Sequence, residues 1–230
     1  AFAVQSLKPL ADGKNSEIEV AKAIFVGTEI AMKTVVYGDK MALKYKKSML
    51  TGAGKQDEMD EISGGKAAQV ENELQVLRIS QEKIVTTGIL GKLTPLILSL
   101  STRMDTIRTS ILKKSVVLSL AKIMCINPAI CEKYLPTLIN IAQNGDCASM
   151  RSSALISLGD LVMRYPNLLE QYSEHLFARL KDPDTKVGKK ALLVISHLVL
   201  NDMLKMKGLM GEVLQCYLEK DLKKVVCIFL

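Results

Sequence analysis

A pair of residues recurs at nearly constant intervals in this chain, and the recurrence restricts the fold more than any other feature. In each pair an apolar residue is followed four positions later by a small one. The pairs are Ile111 and Ser115, Met150 and Ala154, and Val187 and Ala191. Successive pairs lie 39 and 37 residues apart. Because residues four apart share one face of a helix, each pair is expected to face inward on a helix that is repeated along the chain.

The sequence of residues 168–208 defines one complete unit of the repeat. Apolar spacing predicts a first helix over residues 169–180. The tripeptide Asp182-Pro183-Asp184 should end it, because proline cannot continue a helix. Asp184 is then expected to cap a second helix by accepting the free N–H groups of its first turn. Residues 191–195 are apolar nearly all round, so this second helix needs cover from neighbouring units as well as from its own partner.

Two-helix units of about 40 residues are typical of the HEAT and armadillo repeats. Equivalent units are predicted over residues 82–124 and 131–164, with Pro95 and Pro136 inside their first helices, and a fourth begins near residue 209. We therefore predict an all-α protein in which residues 71–230 form a HEAT-repeat α-solenoid of about four units. The chain ends within an apolar pattern at Leu230, so the last unit is expected to be truncated.

The first third of the chain has a different pattern. Residues 1–50 are expected to form helices of the same solenoid, one ending at Gly38 and a shorter one following from Asp39. Residues 51–70 combine glycine pairs with a run of acidic residues and few apolar ones, which predicts a flexible surface loop.

Several functional classes lack support in the sequence. A membrane span needs about 20 predominantly apolar residues, and the longest apolar stretches are interrupted or too short. The segment Gly52-Ala53-Gly54-Lys55 resembles the end of a phosphate-binding loop, but it has Met49 and Gln56 where that loop needs glycine and a hydroxyl residue. His175 and His197 lack cysteine or carboxylate partners at metal-binding spacing. We therefore expect no membrane contact, no cofactor, no small-molecule substrate and no enzymatic activity. The alternative among enzymes is one that binds a nucleotide at residues 52–55.

Basic residues offer a better indication of function. The net charge is +7, a modest bias toward anionic partners. The lysines expected to lie on one edge of the array are Lys186, Lys189, Lys190, Lys205, Lys207, Lys223 and Lys224. Stacking of the units would bring them into a stripe that attracts phosphate groups in a salt-dependent way. The alternative is that these lysines only keep an apolar array in solution.

The segment that follows the third unit's second helix is the most distinctive one. Residues 197–208, HLVLNDMLKMKG, resemble the corresponding segment of the condensin and related chromosome-organising HEAT subunits. The upstream runs GDL at 159–161, RYPNL at 164–168 and LKDP at 180–183 are similar to the same family in the same order. One departure is Gly188, where the family has an arginine between valine and lysine. Its absence removes the expected partner of an aspartate in the neighbouring repeat.

The resemblance implies a non-catalytic scaffold that binds a kleisin subunit, the SMC ATPase subunits and DNA without reading its sequence. It implies work in mitotic chromosome condensation, in the nucleus and on chromosomes, and in the cytoplasm for part of the cell cycle. Lys205 and Lys207 are expected to reach a phosphate or an acidic surface of an SMC head, with Gly208 permitting the turn. Asn201 and Asp202 are expected to end the helix. A HEAT-repeat adaptor of transport or vesicle coats, which would bind peptides and not DNA, is the alternative.

Overall fold

A computed structural model describes residues 13–52 and 88–205, together with the isolated positions 71, 72, 75, 79, 83, 211 and 213. Its helices are α1 (Gly13–Gly52), α2 (Gly88–Thr102), α3 (Ser110–Ile126), α4 (Pro128–Asn144), α5 (Ala148–Arg164), α6 (Pro166–Leu169), α7 (Ser173–Phe177) and α8 (Thr185–Leu200). Short 3₁₀ turns lie at Met104–Thr106, Glu170–Tyr172 and Ala178–Lys181. Over these ranges the chain contains helices and no strands, so the all-α prediction is confirmed.

The helices are arranged as stacked two-helix units. The second helices α3, α5 and α8 start at Ser110, Ala148 and Thr185, which are 38 and 37 residues apart. Helix α5 packs against α3 on one side and α8 on the other, while α4 packs against both α3 and α5. One apolar core extends through all the layers. This is the HEAT-like α-solenoid that the repeat spacing predicted.

The inner face of the first unit differs from the prediction by one residue. Ile111 is 57% exposed, whereas Leu112 and Val116 are fully buried. The pair Ile111 and Ser115 and the pair Leu112 and Val116 both have a spacing of four. The first pair was predicted to face inward because Ser115 is small, and this prediction is wrong. Burying Leu112 with Val116 removes more apolar surface from water than burying Ile111 with Ser115. Met150, Ala154, Val187 and Ala191 are buried as predicted.

Helix α1 is one continuous helix, so the prediction that a helix ends at Gly38 is wrong. A glycine inside a helix costs about 1 kcal/mol relative to alanine. Tertiary packing offsets this cost, because α1 lies against α3 and α2 through buried residues such as Ile24 and Val35. Helices α1 and α3 run in the same direction, since Glu17 bonds Thr109 near the start of α3 and Glu29 bonds Lys122 near its end.

Helices α5 and α8 approach each other closely at Gly159. A Cβ atom built at Gly159 would lie 2.7 Å from Cγ1 of Val194. Since the valine side chain is stiff, only glycine permits this spacing of the two helices. The small residue therefore sets the contact between the second and third units.

The first helix of the third unit is broken, and the prediction of one helix over residues 169–180 is wrong. It consists of α6, a 3₁₀ turn, α7 and a second 3₁₀ turn. Its apolar positions Leu169, Leu176, Phe177 and Leu180 are nevertheless buried. No glycine or proline marks the breaks, so apolar spacing alone could not show them.

Several sequence predictions fall largely or wholly outside the described residues. They include the acidic, glycine-rich loop over 51–70 beyond the end of α1, most of residues 71–87, and the fourth unit beyond residue 205. Among the helices that the structure describes, none is both long and apolar enough to cross a bilayer.

Candidate functional site

The best-defined polar site joins the second unit to the turn that precedes α8. Arg151 of α5 forms a two-pronged ion pair with Asp182: its Nη2 donates to Oδ1 at 2.9 Å and its Nε donates to Oδ2 at 3.0 Å. The Asp182 side chain is completely buried. Oδ1 of Asp182 also accepts the N–H of Asp184 at 2.9 Å, which fixes the turn from within. Pro183, between the two acids, is exposed.

A second arginine completes this site. Nη1 of Arg179 lies 3.4 Å from Oδ2 of Asp182 and donates to the carbonyl oxygen of Gln143 at 3.0 Å. Nη1 of Arg151 donates to the carbonyl oxygen of Gly145 at 2.9 Å. The two guanidinium groups therefore tie the turn before α8 to the turn before α5.

Charge and burial act in opposite directions on Asp182. Burial alone would raise the pKa of this carboxyl group. The hydrogen bonds from Arg151 and from the Asp184 N–H, with the charges of both arginines, hold the pKa of Asp182 below its ordinary value. The hydrogen bonds that Arg151 donates to Asp182 also raise the pKa of Arg151. Both groups are therefore charged at neutral pH.

Related contacts occupy the two earlier joints of the array. Lys113 of α3 pairs with Asp146 in the turn before α5, and this hydrogen bond lowers the pKa of Asp146. At the joint before that, the N–H and hydroxyl of Thr109 donate to Oε2 of Glu17 at 2.9 and 2.6 Å. Each joint thus links a helix of one layer to the turn of the next along the same edge. We call these three contacts the inter-unit ladder.

The ladder position on α8 is occupied by Gly188. This residue is buried, and a Cβ atom built on it would lie 3.2 Å from the carbonyl oxygen of Leu180. It corresponds to Arg151 on α5, since the preceding residues Met150 and Val187 are both inner-face positions. No side chain can extend the ladder from this position, although glycine lets α8 approach the first helix of its own unit closely.

The structure places the predicted lysines along the outward side of α8 and beyond its end. Lys186 and Lys190 are exposed, Lys189 is half-buried, and Lys205 is exposed after the helix. Lys186 and Lys205 lie at opposite ends of a helix about 24 Å long, so the cations form a line and not one cluster. Lys207, Gly208, Lys223 and Lys224 lie outside the described residues.

Asp184 is the N-cap of α8, as predicted, and accepts the N–H of Lys186 at 2.8 Å. At the other end of α8, the N–H of Asp202 donates to the Val199 carbonyl and that of Met203 to the Leu198 carbonyl. This is a Schellman helix end. The side chain of Asn201 donates to the carbonyl of His197 at 2.6 Å.

Asp202 has a φ of 57°, the left-handed region in which a side chain is unfavourable. Its side chain lines a cavity of about 180 Å³ together with Asn167, Ser173 and Lys205. A helix end of this type usually has glycine or asparagine at this position. Asp202 thus lines this cavity at some cost in backbone energy.

We expect Asp202→Gly to raise the free energy of unfolding by about 0.5–1 kcal/mol, because glycine relieves the left-handed strain. Chemical denaturation of the two proteins measures the difference. Asp202→Ala is the matched control, since alanine removes the charge but keeps a Cβ atom in the left-handed region. If Asp202→Ala stabilised the protein as much as Asp202→Gly, repulsion of the charge and not backbone strain would be the cause.

The histidines of the described part of the chain do not form a metal centre. No group of three histidine, cysteine or carboxylate side chains there is placed to hold a metal ion. A ring nitrogen of His175 lies 2.7 Å from the side-chain amide of Gln143, and His197 lies exposed on α8. The arrangement supports binding of anionic surfaces by exposed cations held on a rigid frame.

Arg151, Arg179 and the pair Lys113–Asp146 were not predicted as site residues. Their signal is present in the sequence, because Lys113 and Arg151 are 38 residues apart and Asp146 and Asp182 are 36 apart. Both intervals match the repeat. The family's arginine at the place of Gly188 pointed to such a ladder, and Arg151 is its counterpart one unit earlier.

Comparisons with known proteins find subunits of condensin complexes. The model of the non-SMC mitotic condensation complex subunit 1 matches residues 149–228. Condensin-1 complex subunit CAP-D2 of Arabidopsis thaliana is 42% identical over 50% of this chain and 8% of its own length. Condensin complex subunit 1 of Xenopus laevis is 32% identical over 85% of the chain and 14% of its own length. The corresponding Saccharomyces cerevisiae protein is 26% identical over 86% of the chain and 19% of its own length. The chain thus spans less than a fifth of each of these relatives.

Proposed function

The chain belongs to the family of condensin complex subunit 1, and from this premise we propose that it forms part of a non-catalytic regulatory scaffold in a condensin-type SMC complex. In this role it binds a kleisin subunit, the SMC ATPase heads and DNA. The scaffold serves mitotic chromosome condensation in the nucleus and on chromosomes, and resides in the cytoplasm for part of the cell cycle. Family membership supports a place in the complex, and the cations on and after α8 support the individual contacts.

The observation that carries the DNA contact is the line of exposed basic residues on α8. Lys186, Lys190 and His197 follow one another at intervals of four and seven residues, so they project from one side of the helix. Neutralising phosphates with such lysines releases counterions from DNA and does not depend on base sequence. This contact is therefore expected to be non-specific and to weaken as salt rises.

The frame behind these lysines supports the same proposal. The Asp184 cap fixes the first turn of α8, and the ion pair between Arg151 and Asp182 fixes the turn before it. Lysines on a rigid helix keep their spacing, so less conformational entropy is lost when they bind a phosphate backbone. The ladder thus contributes to binding without touching the ligand.

The second proposed contact is at the loop after α8. Lys205 is exposed directly after a well-formed helix end, and Lys207 follows two residues later. We assign to this pair a phosphate or an acidic surface of an SMC ATPase head, with Gly208 permitting the turn. Lys189 on α8 would belong to the same basic surface. Lys223 and Lys224, at the corresponding turn of the proposed fourth unit, would extend it.

The experiment uses the protein in a reconstituted complex with its kleisin and SMC subunits. We expect Lys186→Gln/Lys190→Gln to weaken binding to duplex DNA about tenfold and to reduce the slope of log K against log salt by about two. Lys92→Gln/Lys133→Gln is the matched control, because it removes two exposed lysines of the first helices α2 and α4. Equal losses in the two variants would mean that net charge, and not this surface, governs binding.

A second arm of the same experiment addresses the loop. We expect Lys205→Ala/Lys207→Ala to lower the DNA-stimulated ATP hydrolysis of the complex. If both DNA affinity and ATPase stimulation stayed intact, the proposed role of this loop would be wrong. A peptide-binding adaptor of transport coats, in contrast, would show no affinity for duplex DNA in any of these variants.

A further inference from the structure

Helix α1 carries an apolar stripe that faces away from the array. Its members are Val26, Ile30, Tyr37 and Met41, which are 53%, 61%, 65% and 44% exposed. Their intervals of four, seven and four residues place them on one side of a helix. We call these four residues the outer stripe of α1. It extends over about 22 Å, or four helical turns.

The outer stripe lies opposite the side of α1 that packs in the core. The buried residues Ile24, Thr28, Ala31 and Val35 face α2 and α3. At 100° per residue, the centre of this buried set lies about 140° around the helix from the outer stripe. Helix α1 also exposes Phe25, Val36 and Leu43, which lie about 120° around the helix from the outer stripe. Its apolar residues therefore extend well beyond the side that packs in the core.

Lysines flank one edge of the outer stripe. Lys22, Lys33, Lys40 and Lys44 are all exposed, and helical geometry places Lys44 in line with Val26 at that edge and Lys33 about 20° beyond it. The acidic residues between Lys22 and Lys44 are Glu29, which bonds Lys122 of α3, and Asp39, which lies 3.5 Å from Arg164 of α5. Glu29 also interacts with the charge of Lys33, but helical geometry places neither carboxylate within the sector of the outer stripe.

We propose that the outer stripe of α1 is a docking surface for an acidic amphipathic helix of a partner protein. The apolar residues offer a straight row that a partner helix can cover at the usual spacing of packed helices. Covering Lys33 and Lys44 with a purely apolar layer would strand their charges away from water, which is unfavourable. A partner with aspartate or glutamate beside its own apolar row would neutralise them.

The same features favour protein over nucleic acid as the occupant. Duplex DNA could neutralise the lysines, but its phosphate backbone would leave Val26, Ile30 and Met41 without apolar contacts. The outer stripe also lies on α1, at the opposite end of the described stack from α8. Its role is therefore separate from the proposed DNA contact, and the failure of either proposal leaves the other intact.

The test uses the 230-residue chain and two fluorescent peptides of about 20 residues, enough for a helix that spans the stripe. Both carry leucine at the spacing of the outer stripe, flanked by glutamate in one and by lysine in the other. Fluorescence anisotropy should show that the acidic peptide binds about tenfold more tightly than the basic one. Binding of the acidic peptide that is no tighter than that of the basic one would overturn the proposal.

Two variants locate the binding on α1. Lys33→Glu/Lys44→Glu is expected to reverse the preference between the peptides, whereas the same charge change at Lys92 and Lys133 should leave it unaltered. Ile30→Ser/Tyr37→Ser is expected to weaken binding of the acidic peptide several-fold. The circular dichroism spectrum and thermal unfolding of the protein should stay unchanged, because both side chains are exposed.

An unaltered preference in Lys33→Glu/Lys44→Glu would show that the peptide binds elsewhere and would refute the proposal. So would displacement of the acidic peptide by duplex DNA if binding depended on the two lysines but not on Ile30 and Tyr37. That pattern would identify a nucleic-acid surface.

Discussion

Arg151→Ala is expected to lower the free energy of unfolding by about 3–5 kcal/mol, because it leaves the buried carboxylate of Asp182 without its main partner. Arg179 cannot replace it, since its nearest contact with Asp182 is a single one at 3.4 Å. Urea unfolding followed by circular dichroism measures the change. Lys114→Ala is the matched control, because it removes a cation near the start of α3 that takes no part in the ladder contacts. A loss below about 1 kcal/mol in Arg151→Ala would mean that the pair contributes no more than a surface ion pair.

The same pair makes stability depend on pH. The pKa of Asp182 is lower in the folded protein than in the unfolded chain, so the unfolded chain binds the proton more tightly. The stabilisation is fully present above the unfolded value of about 3.9 and is lost as pH falls through the folded pKa. Between pH 5 and 3 the unfolding free energy of Asp182→Asn should therefore fall less steeply than that of the unmodified protein. Parallel curves would show that Asp182 does not contribute to the acid dependence.

Phe177→Ala is expected to cost about 3–5 kcal/mol, the usual range for a buried phenylalanine that leaves a cavity. Phe177 is fully buried at the end of α7, a helix of five residues. So short a helix is not stable by itself, and burial of Phe177 and Leu176 holds it in place. Urea unfolding gives the loss, and hydrogen exchange should show increased exposure of residues 166–181.

Leu193→Ala is the control for this second substitution. Leu193 is 52% exposed on α8, so the same kind of truncation should cost less than about 1 kcal/mol. A similar loss in both variants would contradict the assignment of Phe177 to the core.

The period of the array could be read from the sequence because it depends on simple patterns. The spacing of Met150 from Val187 and the Asp182-Pro183-Asp184 turn follow from helical periodicity and from the chemistry of proline. The inner face of α3 could not be fixed in this way, since Ile111 is followed four residues later by the small Ser115 and Leu112 by the apolar Val116. Tertiary packing decided between them.

Local signals failed where tertiary contacts overrode them. Gly38 lies within α1 although glycine often ends a helix, because the helix is held on both sides of it by the core and by Asp39 beside Arg164. The breaks at either end of α7 have no local signal. The partners of Asp182 required knowledge of which helices are neighbours, since Arg151 lies 31 residues away. The lysines of α8, in contrast, were evident from spacing alone.

The inter-unit ladder has a consequence for how the molecule loses its structure. Each contact of the ladder couples two neighbouring units, so unfolding of one unit destabilises the start of the next one. The three contacts differ in strength. Thr109 donates a neutral hydroxyl to Glu17, Lys113 and Asp146 form a partly exposed ion pair, and Arg151 and Asp182 form a buried two-pronged ion pair. Cooperativity should therefore vary along the array, and fraying that begins at the α1 end should stall at the boundary between α5 and α8.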